Sequence, residues 1–129
     1  KIMFSNDLEW LEFYIYGVSD LVPVNKITHI TGYSIPLTKN VETYACLWEK
    51  NKKYNMTINC YNNDYINQKQ TPLNIGMILE NTAHELAHLK HWDHNPKHML
   101  LTGKILTRFG EILEKLGIED TTIKFKELI

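Results

Sequence analysis

The sequence predicts a single α+β domain over residues 1–129, with a small antiparallel or mixed sheet of about three strands packed against three helices. Two kinds of segment predict this class. Three segments have apolar residues at helical spacing and predict helices. The part of the chain between the first and second predicted helices is rich in β-branched and aromatic residues and predicts strands. A chain of 129 residues is the size of one ordinary domain and is long enough to bury a hydrophobic core.

The first predicted helix follows Asn6. Asn6 and Glu9 have the spacing of a capping box, in which the side chains of the two residues satisfy each other's free backbone amides. We expect the helix to continue until Pro23, because proline cannot be accommodated inside it. The apolar positions at helical spacing are Leu8, Leu11, Ile15, Val18 and Val22.

The middle of the chain has the composition of strands. Lys26 to Leu37 is rich in Ile, Thr and Tyr and predicts a strand that ends in a turn. Residues 42–61 predict a β-hairpin with its turn near Asn51-Lys52, and the polar, aperiodic residues 62–70 predict a loop. That turn would place Ala45, Leu47, Met56 and Ile58 on one face of the hairpin, and Cys46, Trp48, Asn55 and Thr57 on the other.

Two further helices are predicted in the second half. Thr71-Pro72 combines a capping hydroxyl with proline at the first helical position, and the pattern continues to about Trp92. Asn95-Pro96 repeats this start, and Gly117 predicts the end of the last helix. Residues 121–129 alternate weakly and predict a short strand or an ordered arm. The apolar positions of the last helix are Leu100, Leu101, Ile105, Leu106, Phe109, Ile112, Leu113 and Leu116.

Composition excludes several classes of function. The net charge of −1 gives no electrostatic reason to expect nucleic acid or an anionic membrane as the main partner. No apolar run approaches the roughly 20 residues of a membrane span. Cys46 and Cys60 are too few for a disulfide scaffold, and we expect two reduced thiols and therefore a cytoplasmic location.

Histidines are concentrated in one segment. Five of the six fall between residues 84 and 98, and two of these, His84 and His88, are about 40° apart on a helical wheel. The apolar side of the same helix faces the opposite way, so the two imidazoles would lie together on the free face. Ala83 and Ala87 are small enough to let another element approach. The apolar side consists of Ile75, Ile78, Leu79, Thr82, Leu86 and Leu89.

His84-Glu85-Leu86-Ala87-His88 is an HExxH motif, in which two histidines bind zinc and the glutamate activates water. Catalytic zinc usually has three protein ligands and leaves one position for water. We expect His94, just past the helix end, to be the third ligand. His91 and His98 are nearby alternatives, and we favour supporting or surface roles for both of them.

The run from His84 to His94 resembles the metal-binding core of the SprT-like, WLM and YgjP-like metallopeptidases, which has the pattern HExxHxxHxxH or a close variant. The resemblance covers about residues 42–116 in organisation and is specific from Ala83 to His98. It implies a minimal zincin-like peptidase domain in which His84, His88 and His94 bind zinc and Glu85 is the catalytic base. The chain departs from the group at His98, where YgjP-like members usually carry an aromatic residue, and it lacks the cysteines of the zinc ribbon found in many SprT proteins.

The expected function is therefore hydrolysis of peptide or protein substrates by zinc-bound water. Tyr33, Tyr65 and His98 are candidates for stabilising the oxyanion, and the second hairpin strand, Tyr54 to Tyr61, is a candidate sheet edge for an extended peptide. Two alternatives remain open. One is a zinc hydrolase with a non-peptide substrate, and the other is a non-catalytic, zinc-stabilised interaction module, which would not need Glu85.

Overall fold

The computed structural model describes residues 1–34, 36, 43–64 and 66–117. Within this part of the chain there are six strands, three α-helices and two short 3-10 turns, at Glu9–Leu11 and Val24–Lys26. The predicted tail at residues 121–129 lies outside the described residues. The strands are β1 (Met3–Ser5), β2 (Ile27–Tyr33), β3 (Ala45–Lys50), β4 (Lys53–Asn59), β5 (Tyr61–Asp64) and β6 (Lys69–Pro72), and the helices are α1 (Glu12–Tyr16), α2 (Ile75–Ala87) and α3 (Pro96–Lys115).

The main sheet is mixed and has four strands in the order β1-β2-β4-β3. The β1–β2 and β2–β4 pairs are parallel, and β3 pairs with β4 in antiparallel fashion. The sequence predicted about three strands and no strand at Met3–Ser5. In three residues the alternation of apolar and polar side chains is too short to be recognised. β1 is defined instead by its pairing with β2, about 26 residues further along the chain.

The predicted hairpin is confirmed. Ala45 pairs with Ile58 and Leu47 with Met56, so these side chains share one face, as expected. Lys50 pairs with Lys53 across a two-residue turn in which Asn51 and Lys52 have φ of 54° and 64°. Two successive left-handed residues form the type I′ turn, whose twist matches that of the strands it joins.

This turn gives a prediction for stability. Lys52 adopts a left-handed conformation that costs a non-glycine residue about 1 kcal/mol, whereas glycine adopts it freely. We expect Lys52→Gly to raise the free energy of unfolding by up to about 1 kcal/mol, measured by urea denaturation. Lys52→Ala removes the same charge but keeps Cβ, so it should give no such gain. Equal stabilisation by both variants would assign the effect to charge.

The N-terminal helix is shorter than predicted, and the capping box at Asn6 is not formed. Asn6 has φ of 56°, and its side-chain amide donates to the carbonyl of Gly32 at 2.8 Å. The helical region consists of the 3-10 turn at Glu9–Leu11 and the five residues of α1, after which turns follow. The first helical turn has Leu8 at its N-cap position, so Asn6 lies before the helix, and its long-range bond to Gly32 is not visible in the sequence pattern.

The segment 62–70, predicted as a loop, contributes instead to a second, two-stranded sheet. β5 and β6 pair in antiparallel fashion, and Tyr61 lies opposite Pro72. Pro72 therefore ends a strand and does not begin α2. The N-cap of α2 is Asn74, whose side chain accepts a hydrogen bond from the Met77 amide at 2.9 Å.

The third helix begins as predicted. The Asn95 side chain accepts from the His98 amide at 2.9 Å, and Pro96 occupies the first turn. Gly117 has φ of 76° just after the helix, which is the conformation expected of a C-terminal glycine. Packing of α3 against α1 includes an edge-on contact of Phe109 with Tyr14, with ring centroids 5.7 Å apart.

The buried apolar residues form one core between the sheet and the helices. Helix α2 lies against β3 and β4, and α3 packs on α2 and α1. Cys46 is exposed and Cys60 is buried, and both are free thiols. No helix in the described part of the chain combines the length and apolar character that a bilayer span requires.

Candidate metal centre

Helix α2 presents two histidines on the side that does not face the core. Its buried residues lie on the sheet and α3 side, and they include Ala83 and Ala87, whose small size predicts the close approach of another element. His84 and His88 remain half-buried, with their ring centroids 5.0 Å apart. The helix ends at Ala87, earlier than the predicted end near Trp92. The chain therefore turns immediately after the histidine pair.

The turn and the cap of α3 bring two further histidines to the same place. The Asn95 amide donates to the Asp93 carbonyl at 2.9 Å, and the Asn95 side chain caps α3 at His98. His94 precedes this cap and His98 follows it, so both are held by the same short segment. Four histidines, His84, His88, His94 and His98, offer ring nitrogens that all lie within 4.8 Å of one another and could hold a metal ion.

Three nitrogens of this group converge in particular. Nε2 of His94 lies 3.0 Å from Nε2 of His84 and 3.1 Å from Nε2 of His88. A proton on His94 could be shared with only one of these acceptors at a time, whereas a cation between the three rings would satisfy all of them. Zinc with Zn–N distances near 2.0–2.1 Å holds tetrahedral nitrogens about 3.3 Å apart, which is close to the spacing observed.

His88 is oriented by the main chain. Its Nδ1 lies 3.2 Å from the carbonyl oxygen of His91. A carbonyl can only accept, so this hydrogen bond places the ring hydrogen on Nδ1 and leaves the lone pair on Nε2, which faces His94. Such a bond from the non-ligating nitrogen is the usual support of a metal-binding histidine. His91 thus supports the centre through its backbone, and its ring is not one of the four that converge.

His98 is buried, with 2% of its surface exposed, and it contacts the other rings. Its Nε2 donates to the carbonyl oxygen of His84 at 3.0 Å, and its ring lies 4.2 Å from that of His88 at an angle of 31°. This hydrogen bond, donated by Nε2, connects the first turn of α3 to α2. The sequence favoured a supporting or surface role for His98, and its burial excludes the surface alternative.

Glu85 lies beside the histidines. Its Oε2 is 3.8 Å from Nε2 of His84, and 14% of its side chain is exposed. Burial raises the pKa of Glu85 to about 7, and a hydrogen bond from the Leu47 amide of β3 acts in the opposite direction. A cation at the histidines would also favour the ionised form. The carboxylate is therefore placed between the metal-binding face of α2 and strand β3.

The neutral form is favoured for His84 and His88. Burial lowers the pKa of His84 below its usual value, and the neighbouring histidines add to this effect. Burial also lowers the pKa of His88, and this effect exceeds that of the hydrogen bond to the His91 carbonyl, which raises the pKa. Neutral imidazole has the free lone pair that metal binding requires, so these two rings do not need to lose a proton at neutral pH before they bind a cation.

His29 and Tyr33, which the sequence also singled out, are not part of this group. His29 is exposed on β2. The Tyr33 hydroxyl, a candidate for the oxyanion, donates to the Thr43 carbonyl at 2.8 Å. Tyr65, another candidate, lies outside the described residues, and His98 uses Nε2 on His84. Tyr33 and His98, as the structure places them, provide no oxyanion donor.

The predicted substrate-binding edge was wrong. β4 lies between β2 and β3 and therefore has no free edge, whereas β3 is at the end of the main sheet. β3 is also the strand whose Leu47 amide reaches Glu85. The sequence could not separate the two strands of the hairpin, because the parallel pairing of β4 with β2 leaves no local pattern.

Comparison of the chain with known protein families, curated proteins and solved structures found no match.

Proposed function

We propose that this protein is a zinc-dependent metallopeptidase in which His84, His88 and His94 bind the metal and Glu85 is the general base. One observation carries the proposal: Nε2 atoms of three histidines converge, with the carboxylate of Glu85 beside them. The HExxHxxHxxH run, which resembles the core of SprT-like, WLM and YgjP-like metallopeptidases, supports the same assignment.

The donor set favours zinc. Neutral imidazoles are ligands that zinc prefers, and three of them leave one position of a tetrahedral centre for water. His98 donates from Nε2 to the His84 carbonyl and has its free lone pair on Nδ1, so the open position requires that this Nδ1 stays off the metal. Zinc bound here would lower the pKa of its water and polarise the scissile carbonyl.

Glu85 carries out the proton transfers in this proposal. Its carboxylate takes a proton from the attacking water and delivers it to the nitrogen of the leaving amine, so that the peptide bond breaks into a free acid and a free amine. Burial raises the pKa of Glu85 to about 7, and zinc at the histidines would lower it from there, so that Glu85 would be ionised and able to accept the proton. The Leu47 amide holds the carboxylate on the β3 side.

Strand β3 is the proposed docking edge for the substrate. It is one of the two edge strands of the main sheet and borders Glu85, so an extended peptide added to it would cross the site. Recognition of this kind reads the peptide backbone more than its side chains. We therefore expect unfolded proteins or flexible segments to be better substrates than folded domains.

The second candidate function is a non-catalytic zinc module, and the presence of a fourth histidine favours it. Structural zinc sites are usually closed by four protein ligands. If Nδ1 of His98 bound the ion while Nε2 kept its bond to the His84 carbonyl, no position would remain for water. Glu85 would then have no chemical task, which is the reason for preferring the peptidase.

The test uses metal analysis and unfolded casein. We expect about one equivalent of zinc per chain and cleavage of casein that 1,10-phenanthroline abolishes and added zinc restores. One equivalent of zinc without cleavage would favour the structural module. Protein that fails to take up zinc at micromolar concentration would contradict both candidates.

A further inference from the structure

Trp92 lies beside the histidine group and is largely exposed. It occupies the turn between α2 and α3, with 55% of its surface accessible. Its ring centroid is 5.7 Å from that of His88 and 6.3 Å from that of Tyr54. Tryptophan usually buries most of its large apolar surface, so an indole that stays open next to a candidate metal centre is a candidate recognition group.

Tyr54 extends this surface toward the edge of the sheet. It pairs with Glu49 of β3, and its hydroxyl is hydrogen-bonded to the Glu49 carboxylate. Tyr54 and Glu49 belong to the same face as Leu47 and Met56, because side chains alternate along a strand and these residues are two apart. The two aromatic rings thus connect His88 with the edge strand on the side where Glu85 lies.

We propose that Trp92 and Tyr54 form a substrate subsite that takes an aromatic or large apolar side chain next to the bond held at the metal. This proposal rests on the proposed peptidase function and names its substrate preference. Two aromatic rings offer edge-on and offset contacts to a third ring or to a branched aliphatic chain. The same rings and the Glu49 carboxylate on Tyr54 would attract a lysine or arginine side chain, whereas the positive charge of a metal at the histidines would repel it, so a lysine compound is included in the test.

Hydroxamates test the subsite without requiring cleavage. N-acetyl-phenylalanine, N-acetyl-alanine and N-acetyl-lysine hydroxamates present the same zinc-chelating group and differ only in the side chain. Titration calorimetry on zinc-loaded protein should show the phenylalanine compound binding about tenfold more tightly than the alanine compound. In Trp92→Ala this ratio should fall below about twofold, with the affinity for the alanine compound and for zinc unchanged. Trp92→Phe should retain part of the preference.

Trp48 provides a matched control. It lies on β3 and is also exposed, at 40%. Trp48 pairs with Asn55, and this pair lies on the face of the sheet opposite to Tyr54 and Glu49. Trp48→Ala should therefore keep the tenfold ratio. An unchanged ratio in Trp92→Ala, equal loss in both variants, or preference for the lysine compound would overturn the subsite.

The outcomes also separate the subsite from the proposed function. Zinc-loaded protein that discriminates between the hydroxamates but does not cleave casein would retain the subsite and contradict the peptidase. Cleavage of casein without discrimination would contradict the subsite alone. Zinc-loaded protein that binds none of the hydroxamates would count against both.

Discussion

Glu85→Gln is expected to reduce casein cleavage by about 10³-fold while leaving zinc binding and the fold intact. A general base contributes about 10²–10⁴-fold to the rate of a hydrolysis. Glutamine has the size of glutamate and can still accept from the Leu47 amide through its side-chain oxygen, but it cannot take a proton from water. The loss should therefore appear in kcat, measured at saturating substrate, and not in the zinc content.

Glu80→Gln is the matched control for this change. Glu80 lies on the same helix and is exposed, so its substitution alters the charge of α2 equally without touching the histidines. It should keep full activity. Glu85→Asp retains the carboxylate but withdraws it by one methylene, and we expect an intermediate rate. Activity of Glu85→Gln within tenfold of the parent would rule out Glu85 as the base.

The sequence was sufficient for the parts of the fold that local signals determine. The turn at Asn51-Lys52 and the cap at Asn95-Pro96 each depend on a few adjacent residues, and both are present in the structure. Thr71-Pro72 carries a similar local signal to Asn95-Pro96, yet Pro72 pairs with Tyr61 in a sheet. Pairing between strands competes with a helix start and cannot be seen in the local pattern.

In the candidate site, too, only the features that depend on adjacent residues were predictable. The proximity of His84 and His88 follows from one helical turn and was predictable. The burial of His98 and the support of His88 by the His91 carbonyl depend on how α3 packs on α2 and on the end of α2 at Ala87. The role of β3 as the edge depends on the order of four strands, and no short segment encodes that order.

The second prediction with a large effect concerns the third ligand. His94→Ala should weaken zinc binding far more than His91→Ala or His98→Ala, measured by competition with a chromophoric chelator. His94 places Nε2 within 3.1 Å of the Nε2 atoms of both other proposed ligands. Loss of a group that merely supports a ligand costs about 10–100-fold in metal affinity, and loss of a ligand should exceed this.

His91→Ala is the matched control, because it removes an imidazole from the same turn but keeps the backbone carbonyl that accepts from His88. We expect its zinc affinity to remain within about threefold of the parent, because loss of a supporting group would reduce the affinity by at least about 10-fold.

His98→Ala removes the bond to the His84 carbonyl and a buried ring, so a loss of about 10–100-fold in zinc affinity is expected together with lower stability. His98→Phe restores the buried volume without a donor and separates these two effects. If His94→Ala keeps its zinc while folded His98→Phe loses it, His98 is the third ligand and the assignment of His94 is wrong.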